Sequence, residues 1–249
     1  MELELTDLKE IVDGKRVVVL GSSKCVEDNN RENIEGYDVV VRVNYGWPVD
    51  KILLDKTGNR VDIFYNYGHN RKRNNNLTQA KLVSYAIEGP FSEFCKRKNI
   101  HTTSLVANRR QFREKYDVYP TTGFFAIWEL LHCNLKELYV TGFTFYKEPY
   151  FEDRPRKDIV FEKILDGQTV HDFNWEFEHM CRLYLDDSRV KIDNKLYELM
   201  VADAISKIKR PSKKIARALN IMKFPLPEGE SEWTYTLVNK YESNNTSKN

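Results

Sequence analysis

Four short stretches of this chain carry side chains that could do chemistry. Gly21-Ser22-Ser23 follows Arg16 and an unbroken apolar run, Val17-Val-Val-Leu20. Free backbone N–H groups and two hydroxyls at such a turn could hold a phosphate, although strand-Gly-Ser-Ser is also an ordinary turn. It is not a dinucleotide fingerprint, because the second and third glycines of GxGxxG are missing. Asn44 ends a second apolar run; its amide can donate to and accept from a base or ribose, or can simply form the turn before Gly46 and Pro48. Thr121-Thr122-Gly123 follows Pro120 and suits a helix start, where hydroxyls cap the helix and its N–H groups attract an anion.

His171 is the sharpest single residue. Thr169-Val-His-Asp172 resembles a capping box, which predicts His171 in the first turn of a helix. The positive end of the helix dipole disfavours imidazolium there, and a neutral imidazole is what a general base needs at pH 7. The bland alternative is an exposed, helix-terminal histidine.

The elements that must position these residues are legible as hydrophobic patterns. Apolar runs at Arg16–Gly21, Tyr37–Asn44, Arg60–Tyr65, Lys81–Ile87, His101–Ala107 and Leu138–Phe145 suit parallel strands covered on both faces. Thr121–Leu131 is apolar nearly all round and predicts a buried crossover helix. Val170–Leu185 has apolar residues at 173, 177, 180, 181, 184 and 185, the spacing of one core-facing helical stripe. Strand alternating with helix predicts an α/β fold with a Rossmann-like, doubly wound, mostly parallel sheet. Residues 1–224 read as one domain and 225–249 as a tail that frays. The polar segment 69–76 reads as an exposed loop.

Hydrophobic content of 41% and 12% aromatics place the chain among globular proteins. A net charge of +2 argues against a general nucleic-acid partner. No run approaches about 18 apolar residues, so no transmembrane segment is expected, and the acidic start is not that of a signal peptide. Cys25, Cys95, Cys133 and Cys181 lack metal-ligand spacing; they read as free thiols of a cytoplasmic protein. The basic stretch from Lys207 to Arg217 reads as a solvated helix face, with an anionic acceptor or a membrane surface as alternatives.

In order, these segments resemble the four sialyl motifs of the glycosyltransferase family 29 sialyltransferases. Val17 to about Asp62, with Gly21-Ser22-Ser23 and Asp38-Val-Val-Val-Arg-Val-Asn44, looks like the long motif. Pro120-Thr-Thr-Gly123 through Tyr139-Val-Thr-Gly-Phe143 looks like the short motif. Tyr150-Phe-Glu152 is similar to the third motif, and His171 followed by Glu176 matches the very short one. The resemblance implies a sialyltransferase-like variant of the GT-A fold. It also implies His171 as catalytic base and Glu176 as its supporting carboxylate. Donor binding falls to Gly21, Ser22, Ser23, Asn44, Thr121, Thr122 and Gly123, with Tyr150 near the donor phosphate.

The implied partners are a nucleotide-sugar donor, expected to be CMP-linked, and a glycan acceptor. No metal or other cofactor is expected, since the chain has no Asp-x-Asp. Ser22 stands where the family usually has Asn, which opens a UDP- or GDP-sugar donor. A non-catalytic nucleotide- or glycan-binding protein that kept the fold is a separate alternative, against which the presence of both His171 and Glu176 argues. The family's disulfide is missing: Cys133 stands at one position, but Val17 occupies its partner's. A microbial or viral relative, working in the cytoplasm or a host's, fits that loss.

Overall fold

The computed structural model describes residues 5–67, 79–85, 90–98, 100–104, 106–147, 170–207, 212–221, 224–227 and 229–246. Among them lies one seven-stranded sheet: β1 (Arg16–Leu20), β2 (Val39–Val43), β3 (Ile63–Asn66), β4 (Leu82–Tyr85), β5 (Thr102–Ser104), β6 (Glu137–Thr141) and β7 (Val190–Ile192). Its order is β5-β4-β3-β2-β1-β6-β7 and every pairing is parallel. The helices are α1 (Thr6–Val12), α2 (Arg31–Glu35), α3 (Leu54–Thr57), α4 (Pro90–Arg97) and α5 (Val106–Tyr116). They continue with α6 (Thr122–Leu131), α7 (Phe173–Asp186), α8 (Asn194–Lys207), α9 (Ser212–Ile221) and α10 (Tyr235–Thr246).

The sheet is the doubly wound α/β arrangement expected from the alternating pattern. Val17, Val18 and Val19 of β1 are fully buried, as are Val39, Val40 and Val41 of β2, so neither face of the central strands meets water. One face is covered by α6, which lies across β2, β3 and β6. Phe124, Phe125, Ala126, Ile127 and Leu130 of α6 are completely enclosed. Phe112 of α5 sets its ring edge-on to Phe124, Phe125, Trp128 and Trp175 at 5.1–6.1 Å between centroids. Burying each such side chain stabilises by about 1.5–3 kcal/mol, and the ring geometry adds about 0.5–1.5 kcal/mol per pair.

Several elements differ from the sequence reading. The run at 101–107 is a strand only over Thr102–Ser104, and from Val106 the chain is helical. The run at 138–145 stops at Thr141 because Gly142 turns the chain at φ +77°. Strand β7 was not foreseen: it is three residues long and Lys191 at its centre is exposed. The segment expected to fray from 225 onward instead contains α10, because Trp233, Leu237, Val238 and Tyr241 bury themselves against Val201, Ile205, Ile215 and Leu219. Asn220 and Trp233 exchange two hydrogen bonds of 2.8 Å that fix the approach.

Of the basic stretch, Lys207 is paired with Glu178 and Asp203, each at 2.9 Å, Lys214 and Arg217 are exposed, and Lys209 and Arg210 lie outside the described residues. So does the polar loop at 69–76. All four cysteines are free thiols. Among the described residues no helix is long and apolar enough to cross a membrane.

Candidate active site

Parallel register brings the carboxyl ends of the strands to one edge. Leu20 pairs with Arg42 on one side and Thr141 on the other, Val43 pairs with Tyr65, and Asn66 with Tyr85. Gly21, Asn44, Tyr67 and Gly142 therefore emerge side by side. The strand order reverses between β1 and β6, the place where doubly wound sheets open a ligand crevice.

The floor of that crevice is backbone against backbone. Gly21 donates to the Thr141 carbonyl at 2.8 Å and Ser23 to the Gly142 carbonyl at 2.9 Å. A Cβ on Gly21 would meet the Gly142 carbonyl oxygen at 2.2 Å. Asp193, just past β7, accepts from the Thr141 hydroxyl and the Gly142 N–H at 2.9 Å each. Its other oxygen accepts from Leu196 N at 2.7 Å, tying α8 to the same point. The Phe143 ring links the two halves: added Cβ atoms at Gly21 and Gly123 would come within 2.9 and 2.5 Å of it. The ring accounts for Gly123, whereas Gly21 is required first by the Gly142 carbonyl.

Three consecutive residues before α6 are gripped from three directions. The Tyr119 carbonyl lies 2.8 Å from His171 Nδ1. The Pro120 carbonyl accepts from Arg109 Nη2 at 2.9 Å. Thr121 donates through its backbone N–H and its hydroxyl to the two Glu176 carboxylate oxygens, at 2.5 and 2.8 Å. Thr121 also caps α6, its Oγ1 accepting from Phe124 N at 3.2 Å. A carbonyl only accepts, so the His171 proton sits on Nδ1 and the lone pair of the neutral ring is on Nε2.

His171 itself is not in the first turn of α7. The helix begins at Phe173 with Asp172 as its cap, Asp172 Oδ1 accepting from Trp175 N at 2.9 Å, so His171 stands in the extended entry to it. Its neutrality has a different cause from the expected helix dipole. Burial lowers its pKa, the Arg109 charge adds to that, and the Tyr119 carbonyl opposes both.

Backbone strain collects nearby. Asn44, Phe145 and Tyr146 have φ of +45°, +48° and +61°, a region that costs non-glycine residues about 1–3 kcal/mol each. Asn44 is held there by Tyr67, whose N–H donates to Asn44 Oδ1 at 2.9 Å. The Tyr146 ring lies 4.0 Å from that of Phe173, beside His171.

No protein-family model matches the sequence, and no curated protein does. Among solved structures, a mammalian sialyltransferase in complex with Gal-beta-1-3GalNAc-ortho-nitrophenol matches with a TM-score of 0.50 at 14% identity, over 76% of this chain and 77% of its own. The chain has a sialyltransferase fold. The sialyltransferase CstII from Campylobacter jejuni, in complex with CMP-3FNeuAc, is also similar, with a TM-score of 0.49 at 14% identity over 72% of this chain and 81% of its own.

Within this sialyltransferase fold the residues singled out in the sequence divide into three groups. His171, Glu176 and Thr121 meet on one segment. Gly21, Gly123 and the buried Ser23 and Thr122, 3% and 4% exposed, build the floor and leave little side-chain surface to a ligand. Ser22 and Asn44 lie on the strand-end turns, with Gly46 3.7 Å from the Gly21 carbonyl by its would-be Cβ. Tyr150 lies outside the described residues. Glu176 reaches His171 only by way of the Tyr119–Thr121 segment that both hold. Arg109, Phe143 and Asp193 were missed. Arg109 had a readable signal: it precedes Phe112 by three on α5, a cation on the inward stripe.

Burial pushes Glu176 up to about 8, against the lowering effect of the Thr121 N–H and hydroxyl and of Arg109. Burial likewise lifts Glu129 to about 7. Both folded-state values exceed the ordinary 4.5, so the folded protein binds these protons more tightly than the unfolded chain. The stability this gives is complete below the ordinary value and is lost as pH rises through 7 to 8. Glu176→Gln stays neutral and still accepts from Thr121 N–H. Its Tm is expected to fall less than that of the wild type between about pH 6 and 9; parallel Tm curves would show that Glu176 is ionised throughout.

Proposed function

We propose that the protein is an inverting glycosyltransferase that moves a sugar, sialic acid or a related one, from a CMP-sugar donor to the hydroxyl of a glycan acceptor. The observation that carries this reading is the His171 tautomer. With Nδ1–H committed to the Tyr119 carbonyl, Nε2 offers its lone pair to an acceptor hydroxyl. In the reaction Nε2 takes the hydroxyl proton while the oxygen forms its bond to the anomeric carbon. The bond from that carbon to the phosphate oxygen breaks on the opposite face, and the phosphate leaves with the electron pair. Configuration inverts.

Glu176 supports the base by fixing Thr121, and with it the carbonyl that orients the ring. The turn Gly21-Ser22-Ser23 has its shape fixed by the Gly21 and Ser23 N–H groups, which hold the Thr141 and Gly142 carbonyls. It forms the donor cradle with Asn44 and the Thr121-Thr122-Gly123 start of α6, the Ser22 N–H being its donor there; Tyr150 is assigned to the phosphate. A monophosphate leaving group stabilised by such fixed donors needs no metal, in keeping with a sequence without Asp-x-Asp. Free thiols at all four cysteines suit work in a reducing compartment such as the cytoplasm.

Ser22 supports a second donor reading, a UDP- or GDP-sugar, because its side chain is shorter than the Asn it replaces. Thermal-shift titration with CMP, UDP and GDP tests both. A ligand at 100 times its Kd stabilises the fold by about 2.7 kcal/mol, and CMP is expected to give the largest shift. Turnover of the matching nucleotide sugar without acceptor then follows hydrolysis. A larger shift with UDP or GDP selects the second reading, binding without turnover means a non-catalytic protein, and no shift with any of the three sinks the transferase reading.

A further inference from the structure

Among the described residues Arg109 has no ion-pair partner. Burial lowers its pKa, so the fold bears a cost for keeping it, and enclosed cations are normally paired. The two carboxylates that influence it most are committed elsewhere. Glu129 accepts from Asn108 Nδ2 at 2.6 Å, and Glu176 holds Thr121 through both oxygens. Of the five N–H donors of a guanidinium, Nη2 supplies one to the Pro120 carbonyl, and the buried Nε has no partner among the described residues.

Its setting is a frame for that cation. The guanidinium lies 5.2 Å from the centre of the buried Phe125 ring and 5.8 Å from that of the half-exposed Tyr67, which gives it two aromatic faces. Tyr67 is tied to Asn44, and Pro120 stands between the residues that hold His171 and Glu176. Arg109 thus spans from the turn after β3 to the start of α6, the two walls that the donor cradle needs.

We propose that Arg109 is the anchor for the donor phosphate, its remaining N–H groups supplying the charge-assisted hydrogen bonds that fix the phosphate opposite His171. This rests on the nucleotide-sugar reading above and adds a residue that the motif resemblance does not supply. Guanidinium matches a phosphate with two parallel hydrogen bonds. The same cation adds a smaller push to the burial that lowers the His171 pKa.

The experiment compares, by calorimetry, the nucleotide that stabilises the wild type best with its own nucleoside, for wild type, Arg109→Gln and Arg109→Lys. The wild type is expected to prefer the nucleotide strongly. Arg109→Gln should weaken nucleotide binding by roughly 10- to 100-fold and leave the nucleoside unchanged, with Arg109→Lys in between because it keeps the charge and loses the fork. Equal losses for nucleotide and nucleoside would show that Arg109 only shapes the Pro120 turn, and unchanged binding would show that it does nothing for the ligand; either overturns the proposal alone. A wild type that binds no nucleotide overturns the donor reading and this proposal together. If Arg109→Gln does not fold, the Lys variant decides, since a structural role predicts no selective loss of the nucleotide.

Discussion

Replacing His171 with asparagine is expected to lower kcat by about 10²–10⁴-fold while leaving the fold intact. Asparagine carries an amide N–H that can still reach the Tyr119 carbonyl, where His171 Nδ1 now lies at 2.8 Å, but it has no counterpart to Nε2. His171→Ala removes both and should be as inactive, with a small further loss of Tm from the freed carbonyl. The wild-type rate should fall on the acid side only below 6.5, since burial and the Arg109 charge hold the imidazole below that value. Protonation there fills the lone pair on which proton abstraction depends. An asparagine variant as active as the wild type would remove His171 from the chemistry and leave the donor site untouched.

The second large effect is on stability. Gly21→Ala is expected to cost about 3 kcal/mol or more, at the upper end of overpacking, because the new methyl meets a backbone carbonyl at 2.2 Å. No side-chain rotation relieves that contact. The β1–β6 junction has to part, and with it the bonds from Gly21 to Thr141 and from Ser23 to Gly142. Gly123→Ala is the instructive contrast. Its methyl meets only the Phe143 ring, at 2.5 Å, so Phe143→Leu should rescue Gly123→Ala and fail to rescue Gly21→Ala. Urea midpoints at constant m measure both. A Gly21→Ala midpoint equal to the wild type's would mean that the strand ends separate freely.

Much of the sheet was legible because parallel strands covered on both faces write themselves as Val-rich runs; β1 and β2 are the clearest. The helix over Thr121–Leu131 was readable for the same reason, apolar on every side and buried on every side. The limits came where local pattern yields to tertiary contact. Strand β7 has one exposed residue between a buried and a half-buried one and is fixed by pairing with β6, which no window of three residues reveals. The cap of α7 went to Asp172 over Thr169 because a carboxylate at that position reaches Trp175 N, a competition between adjacent candidates that spacing alone leaves open. The apolar residues of the C-terminal helix are few, and only docking on Val201 and Leu219 turns them into a core. In the site, residue types announced His171 and Thr121. The grip on Tyr119–Thr121 could not be read, since it joins groups 52 and 55 residues apart largely through backbone atoms that have no letter in the sequence.

The order of the strands also governs how the molecule comes into being. β1 pairs with β2 within the first fifth of the chain, yet its other neighbour, β6, arrives about 120 residues later. Contacts of such long span slow folding, because the intervening chain must be closed before they repay the loss of freedom. During synthesis one flank of the central strand therefore stays open until Thr141 has left the ribosome. An apolar Val-Val-Val edge held in that state pairs readily with a neighbouring chain, so the yield of native protein is set by how quickly the second half is made.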